Sequence, residues 1–224
     1  MGIEVLTLSR HTILWSSGVV VCIGIFQWTK LPSSLRVFTA LKTASFSCDL
    51  GSTALIVHKI SPNDVGTMYQ IVELGLLLWM YYLAFDNKKL KSLTIATVTV
   101  LTALGIINWI FIQKGGINSY TFAIDSLTLW GVSLYFFFWY AVSTQRKNPV
   151  QKALFWINTG LVIYLSATLL LFMATEYLIT VVNDDLIAYW TYHNIMAIIA
   201  NIFFFYGLWI AGRKKPDAPP AASY

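Results

Sequence analysis

The stretch Val65-Gly-Thr-Met-Tyr-Gln-Ile-Val-Glu73-Leu-Gly-Leu-Leu-Leu-Trp-Met80-Tyr-Tyr-Leu-Ala-Phe85 is followed by the basic Lys88, Lys89 and Lys91 and then by a second apolar run from Leu90 to Ile112. Each run is about 20 residues long, the length a helix needs to cross a hydrocarbon core of about 30 Å. That core holds no water to satisfy backbone polar groups, so a spanning segment is either a helix or a strand of a closed barrel. Barrel strands alternate apolar and polar residues over about 10 positions. Leu74 to Met80, and further on Phe136 to Tyr140, are apolar on every side. The reading is helical.

Five more runs of the same kind flank these two: Val5 to Trp28, Leu35 to Val57, Ser119 to Ser143, Val150 to Met173 and Leu186 to Ala211. The chain therefore reads as an all-α polytopic membrane protein, a bundle of seven transmembrane helices over residues 1–212. Loops are short, the longest being Glu176 to Asp185, so any function has to live inside the bundle. Residues 213–224 are basic and then Pro/Ala-rich, a composition that buries too little apolar surface to fold. Only 11% of the chain is charged, against about 25% in a soluble domain. The formal net charge of +5 does not point to nucleic acid, because the basic residues flank the spans and form no patch.

Those flanking charges predict an orientation. Lys30, Arg36, Lys88, Lys89, Lys91, Arg146, Lys147, Lys152, Arg213, Lys214 and Lys215 fall in alternate gaps, while only Arg10, Lys59 and Lys114 fall in the others, beside Asp184 and Asp185. The positive-inside rule places the first set in the cytoplasm, with an external N-terminus and a cytoplasmic C-terminus in a multi-pass inner-membrane protein. The run after Arg10 is too long for a signal-peptide core and has no small-residue cleavage site, so it is expected to remain as the first span. Trp28, Trp139 and Trp209 at one level and Trp109 and Trp190 at the other read as interfacial anchors.

Ionisable groups inside spans are costly and need a partner, a cavity or a proton. At 1.5 Å rise per residue, Asp49, Glu73, Asn108, Asp125 and His193 fall roughly 8–12 Å below the outer helix ends, in one layer. Tyr69, Gln70 and Glu73 share a helix face by i,i+3 and i,i+4 spacing, and so do Asn194, Ala197 and Asn201. Asp49, Tyr69, Gln70, Glu73, Asn108, Asp125, His193 and Asn194 are thus the expected lining of an outward-facing polar pocket for a small polar ligand, a cation or a proton. The same layer is also readable as hydrogen-bonded packing glue. Asn158 and Asn201, at one depth, are expected to bond each other, and Lys42 to snorkel to the inner face. No His pair has HxxxH spacing, there is no phosphate loop or nucleophile elbow, and the last helix lacks a Schiff-base lysine. The sequence therefore indicates no catalytic residue, metal or cofactor.

Four segments carry a resemblance: Tyr69-Gln-Ile-Val-Glu73, Ile117-Asn-Ser-Tyr-Thr-Phe-Ala-Ile-Asp125, Leu154-Phe-Trp-Ile-Asn-Thr-Gly-Leu-Val-Ile-Tyr164 and Tyr192-His-Asn194. Together they resemble a group of small, uncharacterised seven-helix inner-membrane proteins of Bacteroidetes, over nearly the whole chain except the tail. In that group Glu is more usual at the position of Asp125. The genes of the group often accompany sensor histidine kinases, so the resemblance implies a sensory role with a kinase partner. The leading expectation is a receptor-like membrane sensor. The alternatives are a membrane-embedded enzyme acting on a lipid or isoprenoid head group, a small transporter and a structural subunit.

Overall fold

A computed structural model describes residues 2–58, 63–85, 87–114, 118–142, 149–182 and 187–213. Each of the seven apolar runs is a helix: α1 (Gly2–Phe26), α2 (Ser33–Val57), α3 (Asn63–Ala84), α4 (Lys88–Ile107), α5 (Ser119–Val142), α6 (Pro149–Tyr177) and α7 (Ile187–Gly212). The loop charges Lys59, Arg146, Lys147, Asp184 and Asp185, and the tail from Lys214 onward, lie outside the described residues. Among the described residues there is no β-strand.

Among the described residues, five helical stretches are long and apolar enough to cross a membrane: Glu4–Phe26, Lys88–Ile112, Ser119–Val142, Gln151–Thr175 and Ile187–Gly212. The helices α2 and α3 are diluted by polar residues, among them Lys42, Ser45, Asp49, Tyr69, Gln70 and Glu73. One boundary differs from the sequence reading. Helix α6 does not stop near Met173 but runs on to Tyr177 and continues as a π-helical turn, Leu178–Val182. The segment Leu178-Ile-Thr-Val-Val182 is apolar and has no Gly or Pro to end a helix.

Specific contacts fix the direction of each helix. Gly24 on α1 lies against Thr39 on α2, and Gly18 against Phe46, so the two run antiparallel. Tyr81 meets Ser133 while Gln70 meets Asp125, which makes α3 and α5 parallel. Trp130 meets Ser166 and Ser133 meets Asn158, so α5 and α6 are antiparallel. Asn194 bonds Ser9 and Asn201 bonds Ser16 and Ser17, so α7 runs parallel to α1 and closes the ring. Odd helices therefore start at one end of the bundle and even helices at the other.

The seam between α6 and α7 brings two helix backbones close together. A Cβ at Gly160 would stand 2.7 Å from Phe204 Cε1 and 3.0 Å from the Ala200 carbonyl oxygen, and one at Gly207 would stand 2.9 Å from the Ala153 carbonyl oxygen. Small residues that let backbones approach this closely are the usual basis of helix association in lipid, where the hydrophobic effect no longer drives it. Helix α4 sits at the periphery against α3 and α5, with Gly105 its one buried residue.

The surface of the bundle is apolar and much of its interior is polar. Trp15 is 77% exposed, Leu170 72% and Phe26 81%, while Ser17, Thr39, Gln70, Asn158 and Asn201 are buried. An exposed apolar surface of this kind suits a hydrocarbon surrounding. At the end where α2 begins, the interior is filled by Leu31, Leu35, Phe38, Leu77, Tyr81, Phe85, Phe136 and Ile157. Tyr81 ties three helices together: its hydroxyl donates to Asn158 Oδ1 and lies 2.8 Å from Ser133 Oγ, and Asn158 Nδ2 donates to the Ser133 carbonyl at 2.9 Å. Asn158 and Asn201 therefore do not bond each other, as equal depth had suggested. Asn158 points to α3 and α5, whereas Asn201 points to α1.

Candidate functional site

Periodicity brings the polar faces of four helices together at the opposite end, where α1, α3, α5 and α7 start. On α2, Ser45, Asp49 and Ser52 follow one another at four- and three-residue steps, which stacks them on one face. On α3 the face is Tyr69, Gln70 and Glu73. On α5 it is Asn118, Phe122, Asp125 and Leu129, and on α7 it is Trp190, His193 and Asn194. These faces, with Arg10, Ile13 and Leu14 of α1 and Tyr164 of α6, enclose a cavity of about 380 Å3. That is within the range of small-molecule sites, about 300–1,000 Å3. Thr53 and Asn63 line it near the helix ends, while Arg10 lines it from well inside α1, next to Ser9, which bonds Asn194.

A second cavity of about 100 Å3 continues toward the bundle centre. Asp49, Tyr69, Glu73, Tyr164 and His193 line both, so the two share a wall. The deeper one adds Lys42, Ser17 and Asn201. Lys42 does not snorkel to the inner face: its Nζ lies 5.3 Å from the centroid of the Phe204 ring, and it interacts electrostatically with Asp49 and Glu73. One half-buried lysine thus faces two carboxyl groups. Ser45 of α2 and Tyr69 and Glu73 of α3 come together in the wall of this deeper cavity.

Asp125 is 5% exposed and Gln70 2%, and Gln70 Nε2 donates to Asp125 Oδ2 at 2.7 Å. The other oxygen of each side chain, Asp125 Oδ1 and Gln70 Oε1, is buried and receives no hydrogen bond. Buried acceptors without a donor are rare, because each forfeits its hydration without replacement. His193 Nε2 lies 3.3 Å from the Tyr164 hydroxyl, and its ring packs edge-on against Tyr164 and Trp190. Asn194 lines the cavity and donates to Ser9 Oγ at 3.0 Å, so it also joins α7 to α1.

Of the eight residues expected to line a pocket, Asp49, Tyr69, Gln70, Glu73, Asp125, His193 and Asn194 do so. Asn108 does not. It opens the π-helical turn Asn108–Ile112 at the end of α4, and its Nδ2 donates to Gln113 Oε1 at 2.8 Å, to Thr121 Oγ1 at 3.1 Å and to Asn118 Oδ1. The peripheral place of α4 directs this side chain into the start of α5 and away from the bundle axis. Asn108 reaches the cavity only through Asn118, which lines it. Trp190, expected to anchor at the interface, is instead part of the cavity wall.

Lys42 and Tyr164 are the functional candidates that sequence reasoning missed. Lys42 has a legible signal, since it stands three residues before Ser45 and seven before Asp49 on the same face. Tyr164 has none beyond its type. Among the described residues, no group of three or more His, Cys, Asp or Glu is placed to hold a metal ion. Cys22 and Cys48 are both free thiols, and Cys48 sits in the cavity wall. The chain matches no protein-family model, no curated protein and no solved structure. Function therefore has to be argued from the site.

Proposed function

We propose that this protein is a receptor-like sensor of the bacterial inner membrane, with seven spans, its N-terminus outside and its C-terminus in the cytoplasm. Reading α2 and α3 as spans is supported by their position: they pack side by side, with the apolar helix α1 on one side and α4 and α5 on the other, and both contribute polar residues to the cavities. The orientation follows from the Lys and Arg bias. It turns the end of the bundle that holds the larger cavity, where α3, α5 and α7 start, to the outside.

The observation that carries the reading is the cavity itself, which gathers Asp49, Glu73, Asp125 and His193 from four helices above a filled inner half. A transporter needs a route through that inner half, and the interlocked Tyr81, Phe85, Phe136 and Trp139 rings occupy it. An enzyme acting on lipid head groups is the second reading, favoured by the acid and imidazole groups on one wall. The sensor reading is favoured by the continuity between wall and scaffold. Asn194 and Asn201 link the same face of α7 to α1 from the cavity down to the core, so an occupant that shifts α7 shifts α1 with it. The partner receiving such a shift is a cytoplasmic or membrane protein, a sensor histidine kinase being the candidate.

Pulsed electron resonance between spin labels at Asn87 and Arg213, both at the inner end, tests this. Helix shifts in signalling are about 1–2 Å. Glu73→Gln and His193→Gln each alter the shared wall and are expected to move the distance distribution by that amount in folded protein. Superimposable distributions in wild type and both variants would remove the sensor reading.

A further inference from the structure

Two acceptors that receive no hydrogen bond belong to one linked pair of residues in the wall of the larger cavity. Gln70 and Asp125 both line the wall, both are more than nine-tenths buried, and they are bonded to each other through Gln70 Nε2 and Asp125 Oδ2. What remains on each side is an oxygen without a donor, Gln70 Oε1 and Asp125 Oδ1. The chemistry lacking at this wall is an N–H or O–H group, not another acceptor.

The charges around the cavity point the same way. Asp49 and Glu73 share the deeper cavity with Lys42, and both interact with it. Asp125 does not line that deeper space. The other cation of the wall, Arg10 on α1, has no electrostatic interaction with Asp125, whose one polar partner is Gln70. Asp125 is therefore the acid that no lysine or arginine of the wall reaches, and a buried carboxyl group without a cation is costly. Beside it stand Phe122, Leu129 and, across the cavity, Trp190, which offer apolar and aromatic surface.

We infer that the cavity binds a small organic ammonium ligand, its N–H donors seated on Asp125 and Gln70 and its carbon body against Phe122, Leu129 and Trp190. The inference rests on the proposed reading of the cavity as a ligand site and names the ligand class. A primary amine supplies up to three donors and one positive charge, which matches two open acceptors and one uncompensated acid. A quaternary ammonium carries the charge but no donor and leaves both oxygens unsatisfied. A metal ion needs a converging set of ligands that the described residues do not form.

The full chain in lipid nanodiscs is titrated with 2-phenylethylamine and hexylamine, with their alcohol counterparts 2-phenylethanol and hexan-1-ol, and with hexyltrimethylammonium, following Trp fluorescence and heat of binding. The alcohols control for partition into lipid. The amines are expected to bind about tenfold or more tightly than the alcohols or the quaternary salt, the size of one charge-assisted hydrogen bond. Asp125→Asn, close in shape and still able to bond Gln70, is expected to abolish that preference, and Asp125→Glu to keep it. Ile202→Ala, on the exposed side of α7, leaves it unchanged. Amines no tighter than their alcohols, a preference that survives Asp125→Asn, or no binding of any amine overturns the inference. Tight alcohol binding without amine preference rejects the ligand class and leaves the pocket standing. Amine binding without movement between Asn87 and Arg213 keeps the ligand class and rejects the sensor.

Discussion

Gly160 is the position where one methyl group is expected to disturb both the scaffold and the cavity. An alanine Cβ there would lie 2.7 Å from Phe204 Cε1, 3.0 Å from Phe203 Cβ and 3.0 Å from the Ala200 carbonyl oxygen. Carbon atoms pack at about 3.5–4.0 Å, so Gly160→Ala forces α6 and α7 apart by about half an ångström. The Phe204 ring can rotate away, but the Ala200 carbonyl belongs to the backbone of α7 and cannot. Overpacking of this kind costs about 1–3 kcal/mol, offset by up to about 1 kcal/mol because alanine is the better helix former. Gly131 on α5 is the control. A Cβ there meets nothing within 4 Å, so the same substitution keeps only the favourable contribution. One turn beyond Gly160, the Tyr164 hydroxyl is already 3.3 Å from His193 Nε2, at the long edge of a hydrogen bond, and a wider seam breaks it. Unfolding in mixed micelles is expected to show Gly160→Ala less stable than wild type and Gly131→Ala at least as stable. Equal stability of the two variants would mean that the α6–α7 seam is looser than its geometry states, and the reasoning fails.

Further outcomes follow from the same structure. In a background without Cys22 and Cys48, a cysteine at Asn183 is expected to react with an impermeant maleimide in intact cells and one at Asn87 to stay unlabelled; the reverse pattern inverts the orientation. Asn158→Leu removes the bond from Tyr81 and the bond to Ser133, at about 0.6 kcal/mol for an average interhelical bond in lipid, and so lowers thermal stability by about 1 kcal/mol. Asn201→Leu, which loses Ser16 and Ser17, behaves alike, and neither is expected to change the amine preference at Asp125. Lys42→Met leaves Asp49 and Glu73 without their shared cation and is expected to destabilise the fold, while Lys42→Met combined with Glu73→Gln recovers part of the loss. Strict additivity of those two substitutions in a double-mutant cycle would show that the pair does not interact.

The sequence by itself determined the elements. Runs of about 20 apolar residues have one solution in lipid, because only a helix satisfies its own backbone, and the seven helices follow the seven runs closely. It also determined which residues of one helix stand together: Tyr69, Gln70 and Glu73 share a face because helical periodicity requires it, whatever the neighbours are. It did not determine where each face points. Depth is legible from the rise per residue, but rotation about the helix axis is set by which helices pack side by side. For that reason Asn158 and Asn201, equal in depth, turn to different partners, and Asn108, placed in the polar layer by depth, turns out of the cavity on a peripheral helix. For the same reason Lys42, near enough to a helix end to snorkel, points instead into the interior beside Asp49 and Glu73. The closure of α7 onto α1, and with it the joining of four polar faces into one cavity, was decided by tertiary packing alone: glycines at 160 and 207 let α6 and α7 meet, and no local pattern states which helix meets which.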